Sequence, residues 1–250
     1  MRAVSRFSSV RRLHWAVFWG LLLWLGQPAA GLAQRVALVI GNSAYTADAA
    51  LTNPRNDASD VSAALQRLGF RVTLLVDAGR AQMQQALVDF SRAAAASDQA
   101  VLFYAGHGIE TRGENYLLPV DVDLRSENDP QFQALRLADA MDAVRLARRF
   151  GLVILDACRD DPFRRRMAGG QTRGVSRGLA RIEPTASVLV AYAAREGTTA
   201  LDGTGRNSPF TTALLNHLPR PGLEVMQMLR EIRADVLDAT RGQQNPSIYG

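Results

Sequence analysis

Two side chains in this sequence have the chemistry of a nucleophile and its base. Cys158 is the only cysteine in 250 residues, and it follows the apolar run Leu152–Leu155 in the stretch LVILDACRDDPF. His107 closes a second apolar run, Gln99–Ala105, and is flanked by Gly106 and Gly108. A deprotonated thiol is a nucleophile, whereas a buried neutral one is a small hydrophobe. An imidazole beside the thiol takes its proton, the thiolate attacks a carbonyl carbon, and the imidazolium protonates the leaving amine. Gly108 has no Cβ, so its backbone N–H can approach a substrate oxygen. With the N–H of Cys158 it would form an oxyanion hole, in which one donor is typically worth about 3–4 kcal/mol. His217 stands in a helical stretch beside Asn216 and reads as structural.

The elements that must position these groups are read from hydrophobic periodicity. Short apolar, partly β-branched runs at 35–40, 71–76, 99–105, 151–156 and 187–193 predict strands buried on both faces. Between them, segments 58–68, 80–95, 137–149, 208–218 and 223–240 place apolar residues three and four apart, the period of a helix. Asn56 or Asp57 is the expected cap of the first helix, and Ser208 that of the fourth, with Pro209 at its first position. Residues 109–122 read as a hairpin-like segment, 126–136 as a polar loop and 243–250 as a mostly polar tail. Strand and helix alternate throughout, which predicts an α/β fold: a mainly parallel central sheet flanked by helices on both faces, in one domain over 34–250. Neighbouring buried strands then bring His107 and Cys158 to one carboxyl edge, where open α/β sheets carry their sites. Gly41-Asn42-Ser43 after the first strand lacks both glycine-loop patterns for phosphate, which excludes a nucleotide loop there.

Composition narrows the class. At 47% hydrophobic residues the chain is that of a folded domain and not a disordered one. Its net charge of +5 includes Arg2, Arg6, Arg11 and Arg12, and without those four about +1 remains, so charge gives no case for nucleic-acid binding. Residues 1–33 have the form of a signal peptide: arginines, an apolar run over Trp15–Leu25, then small residues at Gly31-Leu32-Ala33. The run is shorter than the ~20 residues of a membrane span. The expectation is a periplasmic or secreted protein beginning at Gln34, without stable membrane insertion after cleavage; a retained anchor is the alternative. A single cysteine in an exported chain forms no internal disulfide and has to be explained as a thiol.

The residues carry a resemblance as well. Phe103-Tyr104-Ala105-Gly106-His107-Gly108 and Asp156-Ala157-Cys158-Arg159 resemble the histidine and cysteine motifs of caspase-like peptidases, the clan of caspases and metacaspases. Cys158 follows His107 by about 50 residues, which matches the separation already known for the caspase histidine and cysteine. The likeness extends over Arg35–Gly250 through Val36–Asn42, Asn56-Asp57-Ala58, Gly69-Phe70 and Tyr192–Gly197, and is nearest to the bacterial exported branch. It implies a cysteine endopeptidase acting on polypeptides with His107 and Cys158 as its dyad. The alternatives are a catalytically weak caspase-fold interaction or signalling module, or another Cys–His acyl transferase on a similar sheet.

One departure bears on specificity: Asp156 stands where mammalian members have glutamine, which resembles metacaspases. Asp202 aligns by eye with a segment that ends in a pocket arginine in caspases. Carboxylates at both positions would select a cationic P1 side chain, arginine or lysine, in place of aspartate; Asp202 capping the turn at Gly203 is the other reading. The arginine-rich stretch Arg164–Arg181 lies where the resembled family often carries its maturation cut, and equally reads as a solvated loop. Asp121, Asp123, Asp160 and Asp161 form no calcium-loop pattern, so no metal or other cofactor is predicted, although some metacaspases require calcium.

Intact-mass analysis of the exported protein tests the two ends of this reading. The expected chain starts at Gln34; a start at Met1 would mean a retained leader. Self-cleavage in Arg164–Arg181 predicts fragments in wild type that vanish in Cys158→Ala.

Overall fold

The computed structural model describes residues 34–46, 49–158, 175–176, 179, 188–195 and 200–250. Residues 1–33, where a signal peptide is expected, and most of the arginine-rich stretch Arg164–Arg181 lie outside the described residues. The central sheet runs in the order β2 (Arg71–Val76), β1 (Arg35–Gly41), β3 (Gln99–Thr111), β6 (Phe150–Cys158), β8 (Val188–Tyr192) and β9 (Ser247–Tyr249). Every pair in it is parallel except β8–β9. The expected α/β architecture is therefore the observed one.

Alternation along the strands divides the core in two. Leu38, Ile40, Leu102, Tyr104, Val153 and Leu155 face α2 (Arg80–Ala95) and α4 (Leu137–Arg145). Ala37, Val39, Val101, Phe103, Leu152 and Ile154 face α1 (Pro54–Arg67), α5 (Pro209–His217) and α6 (Val225–Ala239). Both faces of β1, β3 and β6 are thus covered, as their continuous apolar runs require. The helices fit through their periodic faces: Met83, Leu87 and Phe90 of α2, and Met228, Leu229, Ile232 and Val236 of α6 are buried.

Several expectations are corrected. β2 is not buried on both faces: it is the sheet edge, and Leu74 and Val76 are exposed. α1 begins at Pro54, whose fixed φ suits a first helical position, so Asn56 and Asp57 lie inside the helix and do not cap it. The hairpin-like segment is a true hairpin: β3 continues to Thr111, turns through Arg112 and Gly113, both at positive φ, and returns as β4 (Glu114–Leu117). The polar loop after it holds a short α3 (Pro130–Gln133) and β5 (Leu135–Arg136), which pairs with β4, and β7 (Val175–Ser176) pairs with the end of β3. α4 stops at Arg145, earlier than periodicity suggested. The tail is not featureless, since β9 closes the sheet against β8. Ser208 caps α5 as expected, its Oγ accepting from Thr211 N at 2.9 Å.

Gly41 sets how closely α1 approaches the sheet. A Cβ there would lie 2.3 Å from the Pro54 carbonyl oxygen and 2.5 Å from the Ala58 Cβ. Gly41→Ala is accordingly expected to lose about 1–3 kcal/mol of stability in urea unfolding, the usual penalty of overpacking. An unchanged midpoint would show that α1 shifts without cost.

Candidate active site

The β3–β6 ladder runs in register from Gln99↔Phe150 to His107↔Cys158, so the two predicted residues are Cα partners at the carboxyl ends of adjacent central strands. Strand propensity and apolar burial build the ladder; the polar residues follow where the apolar runs end, and His107 and Asp156 remain buried there.

His107 is itself buried. Its Nε2 lies 2.7 Å from the Ala49 carbonyl oxygen, in the connection between β1 and α1. A carbonyl only accepts, so Nε2 carries the hydrogen and Nδ1 keeps the lone pair of the neutral ring. The Tyr45 ring meets the imidazole edge-on, with centroids 4.6 Å apart. The backbone of His107 is equally committed: its N–H donates to Tyr45 Oη (3.0 Å), and its carbonyl accepts from Leu118 N (3.0 Å) and Tyr104 Oη (2.6 Å). Tyr45 and Leu118 lie on the β1 and β4 side of β3. Because N–H groups alternate sides along a strand, Gly108 directs its own N–H the other way, to the side where β6 ends at Cys158. A Cβ at Gly108 would stand 3.0 Å from the Leu179 side chain, so the glycine also allows that residue to close in.

Asp156 sits two residues before Cys158 on β6 and points to the α1 and α5 face. Its Oδ2 accepts from Ser208 Oγ (2.5 Å) and Thr211 Oγ1 (2.7 Å). Ser208 also donates its backbone N–H to Asp57 Oδ1 (3.1 Å), which takes a second bond from Asn207 Nδ2 (3.0 Å). One serine thus joins two buried carboxyl groups, and no ion pair to either is found among the described residues. Desolvation pushes both acids up: Asp57 to about 8, with the charge of Asp156 as the next cause, and Asp156 to about 6 against its hydroxyl donors. The charge of Asp202 raises both further.

Asp202 is placed differently from the turn cap considered above. Its carboxylate accepts from Thr52 N (2.8 Å) and Asn53 N (3.2 Å), so it fastens the segment leading into α1. Asn56 donates to the Arg206 carbonyl, and Arg206 pairs with Asp60 at 2.9 Å, which ties the same two segments together again. The sequence reading missed Asp57, having assigned it to a helix cap; its only signal was its place in the Asn56-Asp57-Ala58 motif. His217, read as structural, lies 2.7 Å from Asp235 Oδ2 and 3.2 Å from Glu231 Oε2, joining α5 to α6. No cluster of metal-ligating side chains is found among the described residues.

Fold and placement together define an α/β protein in which a histidine and a cysteine are Cα partners at the carboxyl edge of two central parallel strands. The chain belongs to the caspase domain family, whose model matches residues 34–250. A crystal structure of caspase-1 from Spodoptera frugiperda is similar in fold, with a TM-score of 0.60 over 87% of each chain at 21% identity. Part of the chain is also similar to mucosa-associated lymphoid tissue lymphoma translocation protein 1. Its Homo sapiens form is 35% identical over 96 residues, and its Mus musculus homolog 36% identical over 105. Those matches take in 38% and 41% of this chain and 12% of each relative.

The raised acids make stability depend on pH with a definite sign. Folding favours protonated Asp57, so its contribution is complete below the ordinary carboxylate range and is lost as pH rises through about 8. Melting temperature should fall between pH 6.5 and 8.5, with a free-energy slope of at most about 1.4 kcal/mol per pH unit for one proton. Asp57→Asn should flatten that slope. A wild type with a level profile would show that Asp57 is ionised at no cost.

Proposed function

We propose that this protein is an exported cysteine endopeptidase that cleaves polypeptides after arginine or lysine. In this reading His107 Nδ1 takes the proton of the Cys158 thiol, and the thiolate adds to the scissile carbonyl carbon. The carbonyl electron pair moves onto oxygen, which the N–H groups of Gly108 and Cys158 stabilise. As the tetrahedral intermediate collapses, the C–N bond breaks, the His107 imidazolium protonates the leaving amine, and an acyl-enzyme remains. Water, deprotonated by His107, then hydrolyses the thioester and restores the thiol.

The single observation that carries the reading is the His107↔Cys158 register, with Gly108 directing its N–H to the same side. Membership of a peptidase family supports the reaction class. Support for cationic specificity comes from Asp156 and Asp57, two buried carboxyl groups joined by Ser208 without a cationic partner among the described residues. Asp202 contributes through its charge while anchoring the loop. An entering guanidinium would draw the acids to their ionised form and replace lost hydration with paired hydrogen bonds. No metal or other cofactor has a step in this scheme. Among the described residues no helix is long and apolar enough to cross a membrane.

A peptide library varied at P1, run with and without calcium, is the test. Cleavage should follow Arg and Lys, vanish in Cys158→Ala, and drop at least about tenfold in kcat/KM for Asp57→Asn and Asp156→Asn, as expected when a buried charge partner is removed. KM for the P1-Arg substrate should decrease as pH rises from 6 to 8, because the pocket acids ionise over that range. Cleavage after Asp with Arg peptides ignored would reject the specificity. No cleavage, together with an inert Cys158 towards a peptidyl-Arg chloromethyl ketone, would leave a non-catalytic caspase-fold module.

A further inference from the structure

We propose that Tyr45 is a positioning residue for His107, holding both its peptide unit and its ring so that the imidazole is aligned before substrate arrives. The inference rests on the Cys–His reading above and adds a residue that touches neither substrate nor thiol in that scheme.

Tyr45 belongs to the connection between β1 and α1 and is buried. Its hydroxyl accepts the His107 N–H at 3.0 Å and donates to the Leu118 carbonyl at 2.9 Å. Tyr104 Oη stands 3.1 Å from the same hydroxyl and 2.6 Å from the His107 carbonyl oxygen. The Leu118 carbonyl is 2.9 Å from Tyr104 Oη as well, but the shorter Tyr104 contact is to His107, which leaves Leu118 to Tyr45, while a Tyr45 lone pair takes the His107 amide. This closes the hydrogen bonding of the His107 peptide unit on both sides. The Tyr45 ring then limits the imidazole itself, at 61° between planes. Ala49, from the same connection, fixes the tautomer through Nε2. Backbone, ring plane and tautomer of one histidine are thus set by one loop.

Gly106 is part of the arrangement. Its φ is +154°, and a Cβ on it would lie 2.7 Å from both tyrosine hydroxyls. Any side chain at 106 would displace the pair that clamps its neighbour. The glycine before His107 is therefore required by the tyrosines.

A purely structural tyrosine and a positioning one differ in what their loss changes. Tyr45→Phe keeps the ring and removes the hydroxyl. The expected result is a fall in kcat of about tenfold or more with KM for a P1-Arg peptide within twofold. The acid limb of kcat/KM should also move, because the imidazole is held differently. The pH profile of Cys158 alkylation by iodoacetamide should shift in the same variant, a readout that needs no turnover. Gly106→Ala reaches the hydroxyl pair from the other side and should give the same signature; it stands in if Tyr45→Phe is not recovered folded. Wild-type kcat with unmoved profiles in either variant overturns the inference, and so does a loss confined to melting temperature. Failure of the underlying reading looks different: wild type itself cleaves nothing, and its thiol alkylates with the profile of an ordinary cysteine, near pH 8.5.

Discussion

The parallel pairing of β3 with β6 is the constraint on which the site depends. Parallel strands hold register through side chains buried on both faces, and a slip of one residue would send every apolar group to the opposite layer. Here Leu102 and Val153 belong to one layer while Phe103 and Ile154 belong to the other. The core therefore locks the ladder, and the ladder fixes His107 against Cys158 at its end. The positions of these two residues at the edge are thus set by hydrocarbon packing several residues away. The same alternation puts His107 and Asp156 on the face served by the β1–α1 connection, α1 and α5, where Ala49, Asp57 and Ser208 meet them.

That face holds an electrostatic imbalance. Ionised carboxylates taken out of water are costly unless paired, and neither Asp57 nor Asp156 has an ion-pair partner among the described residues. Hydroxyl, amide and backbone donors stand in for solvent, and burial raises both acids. The arrangement contrasts with the neighbouring Asp60–Arg206 pair, where a guanidinium holds the carboxyl down. Asp77 is a second contrast. It takes the Ser43 and Ala44 amides and the Arg55 guanidinium, and lies below the ordinary range. Three acids on the same side of the molecule thus serve as fasteners, Asp202 among them, while Asp57 and Asp156 are held by neutral donors alone.

How far the site could be read from sequence follows from which signals are local. The apolar runs of β1, β3 and β6 announced strands because each is buried along its whole length, and the β2 run misled because an edge strand carries the same residues with half the cover. Ser208 and Pro209 identified the start of α5 because capping is decided within three residues. Asp57 was misassigned because its partners lie about 150 residues away, at Asn207 and Ser208. Tyr45 gave no signal at all: an aromatic after a strand is ordinary until its hydroxyl is found against the His107 amide.

By itself, then, the sequence determined the alternation of strands and helices, the mainly parallel sheet, and the pairing of one histidine with one cysteine at strand ends. Those follow from periodicity and residue chemistry, which act over a few positions at a time. Only the tertiary structure decided that Asp57 joins Asp156, that Asp202 is a fastener, and that Tyr45 and Ala49 hold the imidazole. Each of those depends on which distant backbone groups are left without a partner once the layers close, and burial makes it costly to leave such groups unsatisfied.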